Sequence, residues 1–335
     1  MRTTSKEVAR LAGVSQSTVS RTFAGSGNVS EDTKKMVFGA AKRLGYSPNA
    51  IARGLINKST KMIGIVMHHF MNPFYSYLLQ QFTQEFQKLG YVILLFAIEE
   101  EYKAEDALPI VLQYLVDGII FISATISSRL EEQCKANGTP VVLFNRYSLE
   151  SSYNSVRTDN VFGGREIGDF LVKCGYRKIA MVEGLESSSN NIDRREGFLA
   201  CLKEHSQNIF KVDRGDYSYE SGYQAGKRML QGTDLPDAVF CVNDLMALGV
   251  MDVARYEYKL NIPEELAVAG FDDIPQASWS GYQLTTYHQP VEKLIRETIE
   301  VMIKAINDHE APLQTRIMRG ELVARDSTGN QVFRG

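Results

Sequence analysis

Two groups of polar residues in this 335-residue chain have the types and spacing for recognition chemistry. The first is Gln16, Ser17, Ser20 and Arg21 within QSTVSRTF. At about 100° per residue, these four share one side of a helix, while Thr18, Val19, Thr22 and Phe23 share the other. Forked Gln and Arg groups address base edges in a major groove. The second group closes a series of apolar runs: Asn145-Arg146 after VVLF, Asn243-Asp244 after VFCV and Asp272-Asp273 after VAGF, with Arg194 shortly beyond KIAMVEG. His69 to Phe74 follow MIGIVM in the same way. Amides, a carboxylate and a guanidinium suit a polyol with many hydroxyls, and Phe74, Tyr217 and Trp279 offer rings to its apolar face. Charged groups so placed also serve as ion pairs that close a cleft.

Catalytic signatures are absent: the chain has no G-x-S-x-G, P-loop, G-x-G-x-x-G or H-E-x-x-H. An enzyme is not expected, nor a cofactor. His68 and His69 point to opposite faces if the strand continues, so packing or effector contact is favoured over a shared metal ion, and no metal site is expected. Cys134, Cys174, Cys201 and Cys241 form no C-x-x-C and are read as reduced thiols.

The elements that must position the first group begin at Thr4. Thr4 and Glu7 have capping-box spacing, Gly13 ends the first helix and Ser15 caps the second. Val8 and Leu11 are expected to pack on Val19 and Phe23. Ser30 caps a third helix, 31–44, whose stripe of Val37, Ala40, Ala41 and Leu44 closes a three-helix head. Residues 1–61 hold eleven Lys or Arg against three acids, a balance of +8; the whole chain is −3, which leaves −11 for the remainder. A basic head on an acidic body implies a polyanion partner for the head. In 47–60, Ser47 and Pro48 start a short helix over 49–57, marginal on its own, or the segment is a plain linker.

From Met62 the pattern alternates. Apolar runs at 62–67, 91–97, 118–123 and 140–145 are separated by helices expected at 74–89, 104–115 and 129–137. The rhythm repeats with helices at 161–174, 193–204, 218–231 and 244–255 around runs near 178–184, 209–213, 237–242 and 266–271. Continuous apolar runs between helices indicate parallel sheets covered on both faces. Two open α/β lobes result, completed by the helix 291–308 and short strands at 316–318 and 322–324. In such lobes ligands bind beyond the carboxyl ends of the strands, here the cleft between the lobes.

The chain resembles the LacI/GalR (lac repressor) family of bacterial transcription regulators. The resemblance rests on KEVARLAGVSQSTVSR, NVSEDT and LGYSPNAIARGL in the head. In the body it rests on IGIV, NPFY, VDGII, TDNVFGG, RREGF, GDYSYESGY, FCVNDLMALG, VAGFDD and LTTYHQP. It implies an N-terminal all-α helix-turn-helix headpiece at 1–46 and a hinge helix or linker at 47–60. It also implies an α/β two-lobed periplasmic-binding-protein-like core of parallel sheets at 61–335, with lobe 1 at about 61–159 and 290–320 and lobe 2 at about 160–289 and 321–335. By position it implies DNA contacts from Thr4, Ser15, Gln16, Ser17, Thr18, Arg21, Asn28, Asn49 and Ala52, with Leu55 as the hinge leucine that wedges into the minor groove. The effector set is His69, Asn72, Phe74, Asn145, Arg194, Tyr217, Asn243 and Asp272.

The expected function is a sequence-specific DNA-binding regulator, a repressor, controlled by a small molecule bound between the lobes. The expected partners are a pseudo-palindromic double-stranded operator, an effector and a second copy of the chain in a homodimer. A sugar or sugar derivative is the first expectation for the effector, and a purine or nucleoside the second. The rival class, a solute-binding receptor of a transport system, calls for an export signal and no basic head. A cytoplasmic location is expected: there is no apolar leader, and no run reaches the 18 or so apolar residues that a membrane span needs.

Overall fold

The computed structural model describes residues 3–24, 29–47, 59–67, 72–98, 104–122, 132–134, 136–147 and 153–329. The chain divides into two compact units, Met1–Met62 and Ile63–Gly335. Asn28, Asn49, Ala52, Leu55, His68 and His69, and the whole expected hinge helix 49–57, lie outside the described residues.

The first unit holds α1 (Ser5–Ala12), α2 (Gln16–Ala24) and α3 (Glu31–Arg43). Thr4 caps α1 through a reciprocal pair: the Glu7 amide donates to Thr4 Oγ1 at 3.4 Å and the Thr4 amide to Glu7 Oε2 at 2.7 Å. Gly13, at φ 66°, takes the left-handed turn that a side chain would resist. Ser15 and Ser30 accept from the Thr18 and Thr33 amides at 3.1 and 3.3 Å, fixing the starts of α2 and α3. Val8, Ala9, Val19, Val37, Ala40 and Ala41 form the core, with Ala12, Phe23, Leu44 and Tyr46 packed on it. Leu11 corrects the expected packing: it is 49 % exposed. The buried stripe of α1 is centred on Val8, Ala9 and Ala12, and Leu11 lies about 100° round the helix from that centre.

The second unit contains β1 (Met62–Met67), α4 (Pro73–Lys88), β2 (Val92–Ala97), α5 (Ala104–Gln113), β3 (Gly118–Ile122), β4 (Val141–Phe144), β5 (Asn154–Thr158), α6 (Asn160–Lys173), β6 (Ile179–Glu183), α7 (Ser189–Glu204), β7 (Lys211–Arg214), α8 (Tyr219–Met229), β8 (Ala238–Cys241), α9 (Asp244–Asp252), β9 (Ala267–Asp272), β10 (Thr285–His288), α10 (Val291–Asn307), β11 (Thr315–Met318) and β12 (Glu321–Val323). Two six-stranded sheets result, ordered β11-β5-β4-β3-β1-β2 and β12-β10-β9-β8-β6-β7. The pairings β1–β3, β3–β4, β4–β5 and β5–β11 are parallel, as are β7–β6, β6–β8, β8–β9 and β9–β10; β12 is antiparallel to β10. Strands β3, β4, β8 and β9 are wholly buried, as unbroken apolar runs in parallel sheets must be.

The run YVILLFA differs from that pattern. It forms β2 at a sheet edge, with Val92 57 % and Leu95 37 % exposed. An apolar run alone does not distinguish a central strand from an edge strand. Helix α7 also begins a turn earlier than expected, because Ser188 caps it through the Asn191 amide. Of the helix expected at 129–137, the described residues 132–134 and 136 are helical and Asn137 is already in the turn that follows.

The chain passes between the sheets three times, after β5, after β10 and after β11. These passages are laced together. The Asp159 amide donates to Met318 O at 2.8 Å, and Arg319 Nε pairs with Asp159 Oδ2 at 3.1 Å. Thr158 Oγ1 donates to Gln289 Oε1 at 2.7 Å, and the Gly320 amide donates to Tyr287 Oη at 2.8 Å.

Candidate nucleic-acid interface and effector cleft

On α2, Gln16, Ser17, Ser20 and Arg21 are all exposed, while Val19 and Thr22 are buried. Gln16 Nε2 donates to Ser5 Oγ at 2.9 Å and Arg21 Nε to Ser17 O at 3.4 Å. Ser15 Oγ shares hydrogen bonds with Ser17 Oγ and Thr18 Oγ1 at 2.7 and 2.8 Å. Thr4 is committed to its cap and partly buried Thr18 to Ser15. Arg21 forms no ion pair among the described residues, so its guanidinium stays available to an anion or a base edge.

The cleft is built from strand ends. Asn145, Arg146, Thr158, Asn243 and Asp272 all follow or close parallel strands and are all at most 7 % exposed. Asn145 donates from Nδ2 to Gln289 Oε1 at 2.6 Å and accepts the Thr158 amide on Oδ1 at 3.1 Å. Gln289 passes the chain on, donating from Nε2 to Asp272 Oδ1 at 2.6 Å. Arg194 Nη2 meets the same carboxylate oxygen at 3.3 Å. Its Nε donates to Asn160 Oδ1 at 2.9 Å, its Nη1 to Val242 O at 2.5 Å, and its guanidinium carbon lies 3.6 Å from the centre of the Phe271 ring. Every edge of this guanidinium is therefore held.

A second chain runs through Ser188. Its Oγ accepts from Arg146 Nη1 at 2.6 Å and from Tyr217 Oη at 2.7 Å. Tyr217 lies across Gly184, where an added Cβ would meet the tyrosine ring at 2.4 Å. Asn243 fixes the Tyr217 backbone, donating from Nδ2 to its carbonyl at 2.9 Å, and caps α9 by accepting from the Met246 amide at 3.1 Å. Asn145, Tyr217 and Asp272 have φ of 53°, 73° and 124°, a region that side chains rarely adopt, and such strain clusters at binding sites. Farther out, Tyr147 Oη donates to Asp193 Oδ1 at 2.7 Å, and Arg157 Nη1 pairs with Asp193 Oδ2 at 3.2 Å, joining the β4–β5 side to α7.

Burial sets the electrostatics. It pushes the Asp272 carboxyl up to about 6 against the pull of Arg194. It pushes Asp244 up to about 7, with the Asp272 charge adding to the rise; Thr286 Oγ1 and the Ile274 amide donate to Asp244 at 2.6 and 2.9 Å. The Tyr75 phenol is also raised, chiefly by burial, and lies within the fields of Arg146, Asp272, Tyr217 and Arg194.

Two models of protein families match the chain: the bacterial regulatory proteins of the lacI family over residues 4–49, and the periplasmic binding proteins and sugar binding domain of the LacI family over residues 60–324. This chain belongs to the LacI family. The HTH-type transcriptional repressor PurR of Photorhabdus laumondii subsp. laumondii is 32 % identical, with 98 % of each chain covered. The lac repressor dimer bound to operator and the anti-inducer ONPF superposes with a TM-score of 0.88 at 26 % identity, covering 98 % of this chain and 100 % of that one. The transcriptional regulator CelR in its cellobiose complex gives a TM-score of 0.73 at 28 % identity, covering 97 % and 100 %. The LacI-family core and headpiece thus make this protein a DNA-binding transcriptional regulator with an effector-binding domain.

Within this LacI-family core, Asn145, Arg194 and Asp272 share one hydrogen-bonded chain, and Tyr217 and Asn243 share a second. Asn72 is buried and accepts from the Phe74 amide at 3.0 Å, capping α4; Phe74 is buried in the core against Tyr75, ring centres 5.6 Å apart. Trp279 is 56 % exposed, and its backbone amide donates to Gln276 O at 3.1 Å in a turn. Sequence reasoning did not single out Tyr75, Ser188 and Gln289 and left Arg146 unused. Arg146 had a signal, its place at a strand end, and Gln289 another, its place just after β10. Among the described residues, Asp169, Cys201 and His205 lie close enough together to ligate an ion, but Lys173 Nζ already holds the Asp169 carboxylate at 2.6 Å.

Proposed function

We propose that this LacI-family regulator is a homodimeric repressor that binds a pseudo-palindromic operator and is controlled by a sugar or sugar derivative held between its lobes. The division of labour is headpiece 1–46, hinge 47–60 and core 61–335. Helix α2 enters the major groove, with Gln16, Ser17 and Arg21 toward the bases and Thr4, Ser15, Thr18 and Asn28 supporting, and Asn49, Ala52 and Leu55 belong to the hinge contact. The effector set is His69, Asn72, Phe74, Asn145, Arg194, Tyr217, Asn243 and Asp272, in a protein that works in the cytoplasm and turns nothing over.

One observation carries the effector reading. Buried amides, a carboxylate and guanidinia from both lobes converge where the strands end, a dry polar lining whose donors and acceptors match the hydroxyls of a polyol. The cellobiose in the CelR complex is the same class of molecule. Ligand binding to the folded state alone raises its melting temperature. A thermal-shift screen of sugars and nucleosides on the full chain, followed by operator binding with each hit, tests this. A sugar that shifts both supports it; a nucleoside that does so while all sugars are silent replaces it.

A further inference from the structure

The joint between the lobes carries Arg146, Arg157, Arg194 and Arg319, and the last three have carboxylate partners; Arg319 pairs with Asp159 at 3.1 Å. Arg157 pairs with Asp193 at 3.2 Å and Arg194 with Asp272 at 3.3 Å. Arg146 is 7 % exposed and forms no ion pair among the described residues. Its Nη1 is spent on the Ser188 hydroxyl at 2.6 Å, and its buried Nε has no hydrogen-bond partner. Asp244 does not balance it, since that carboxyl is taken by Thr286 and the Ile274 amide.

A guanidinium withdrawn from water without a counter-charge is expensive, and the described residues supply none here. The edge that carries the unpartnered Nε is also shaped. Nε and Nη2 lie side by side on the guanidinium, two parallel donors with the spacing of the two oxygens of a carboxylate. Ser188 holds the opposite corner, and Tyr217 holds Ser188, so the edge is fixed in direction. Tyr75 sits within the field of the same arginine.

We propose that the effector is an acidic sugar, whose carboxylate is received by the Nε–Nη2 edge of Arg146 while its hydroxyls meet the amides and Asp272. This rests on the sugar-effector reading above and narrows it to polyols carrying one anionic oxygen group. A phosphate ester is the other source of that chemistry; the planar two-donor edge favours the carboxylate.

The test is calorimetry on the full chain with matched sets: galactose, galacturonate and galactose 6-phosphate, and glucose, glucuronate and glucose 6-phosphate. The acidic member of a set should bind at least about tenfold more tightly than its neutral parent. Arg146→Gln should remove that preference, by roughly ten- to a hundredfold, so that the acidic sugar and its neutral parent bind alike. Arg146→Lys should restore part of it. A phosphate ester that outbinds the carboxylate, with the same dependence on Arg146, keeps the anion and corrects its source. Equal or tighter binding of neutral sugars, unmoved by Arg146→Gln, overturns the proposal and leaves the sugar reading intact. Silence of every sugar, acid and ester, with a nucleoside that shifts melting in the screen above, overturns both. The ligand-free protein gives a readout independent of the panel: Arg146→Met should raise its melting temperature, since it removes an uncompensated buried charge. A lowered melting temperature would make Arg146 a structural residue and overturn the proposal.

Discussion

Helix α2 and the lobe cleft present polar groups in opposite ways. On α2 the side chains are exposed, and Gln16 and Arg21 are each held by a single neighbouring group. In the cleft they are buried, and Arg194 and Gln289 are each held by two or more. The α2 face loses its water only when a partner arrives, so its selectivity depends on what that partner offers. The cleft's polar side chains are buried and hold one another, so their pattern is fixed in advance and little is left to order on binding.

The contrast is easiest to break at Arg194. Arg194→Ala leaves Asp272 buried without its cation, and removing one member of such a pair costs ~3–5 kcal/mol. Urea unfolding of the core should show a loss of that size together with a lost effector response; an unchanged midpoint would mean that the cleft is as solvated as α2. Arg21→Ala should do the reverse. It should leave the unfolding curve in place and cost roughly 1–3 kcal/mol of discrimination between a selected operator and random DNA. Equal losses on both would assign Arg21 to phosphates and erase its difference from an ordinary basic residue.

The cleft's carboxyls sharpen the comparison through pH. Asp272 and Asp244 titrate at about 6 and about 7 in the folded chain, above the ordinary 3.8. The folded state therefore holds protons that the unfolded state has released. Their contribution to stability is complete below about pH 3.8 and is lost as pH rises through 6 and 7. The core's urea midpoint should fall across that window from these two groups, and Asp244→Asn should flatten the fall. A profile that Asp244→Asn leaves unchanged would place the titration elsewhere. The smallest effect is at Thr4: Thr4→Ala removes the α1 cap and should lower headpiece stability by about 1 kcal/mol, read as the helical melt of that unit. An unaltered melt would show that the third helix, not the cap, fixes α1.

Local chemistry was legible in the sequence. Thr4 with Glu7, Gly13, Ser15 and Ser30 declare their caps in a few residues, and the strand ends mark Asn145, Asn243 and Asp272, which the structure buries in hydrogen-bonded chains. What was not legible depends on the neighbours of a segment. Leu11 has the type and phase of a core residue, and only the placement of α3 over Val8, Ala9 and Ala12 leaves it outside. The run at β2 reads like those at β3 and β4; its exposure follows from sheet order. Arg194 was marked by the RREGF pattern, but its saturation by Asn160, Val242 and Asp272 depends on residues far away in the chain. Arg146 stood at a strand end in plain view. Its distinction is the absence of a carboxylate partner among the described residues, which only three-dimensional neighbours reveal.

The three passages between the sheets have a mechanical consequence. A single connection would let one lobe swivel about it in any direction. Three connections laced side by side, Asp159 to Met318 and Arg319, Thr158 to Gln289 and Gly320 to Tyr287, bend together along one line and resist torsion about any other. Relative motion of the lobes then has one soft coordinate. A ligand in the cleft would then act on a single angle.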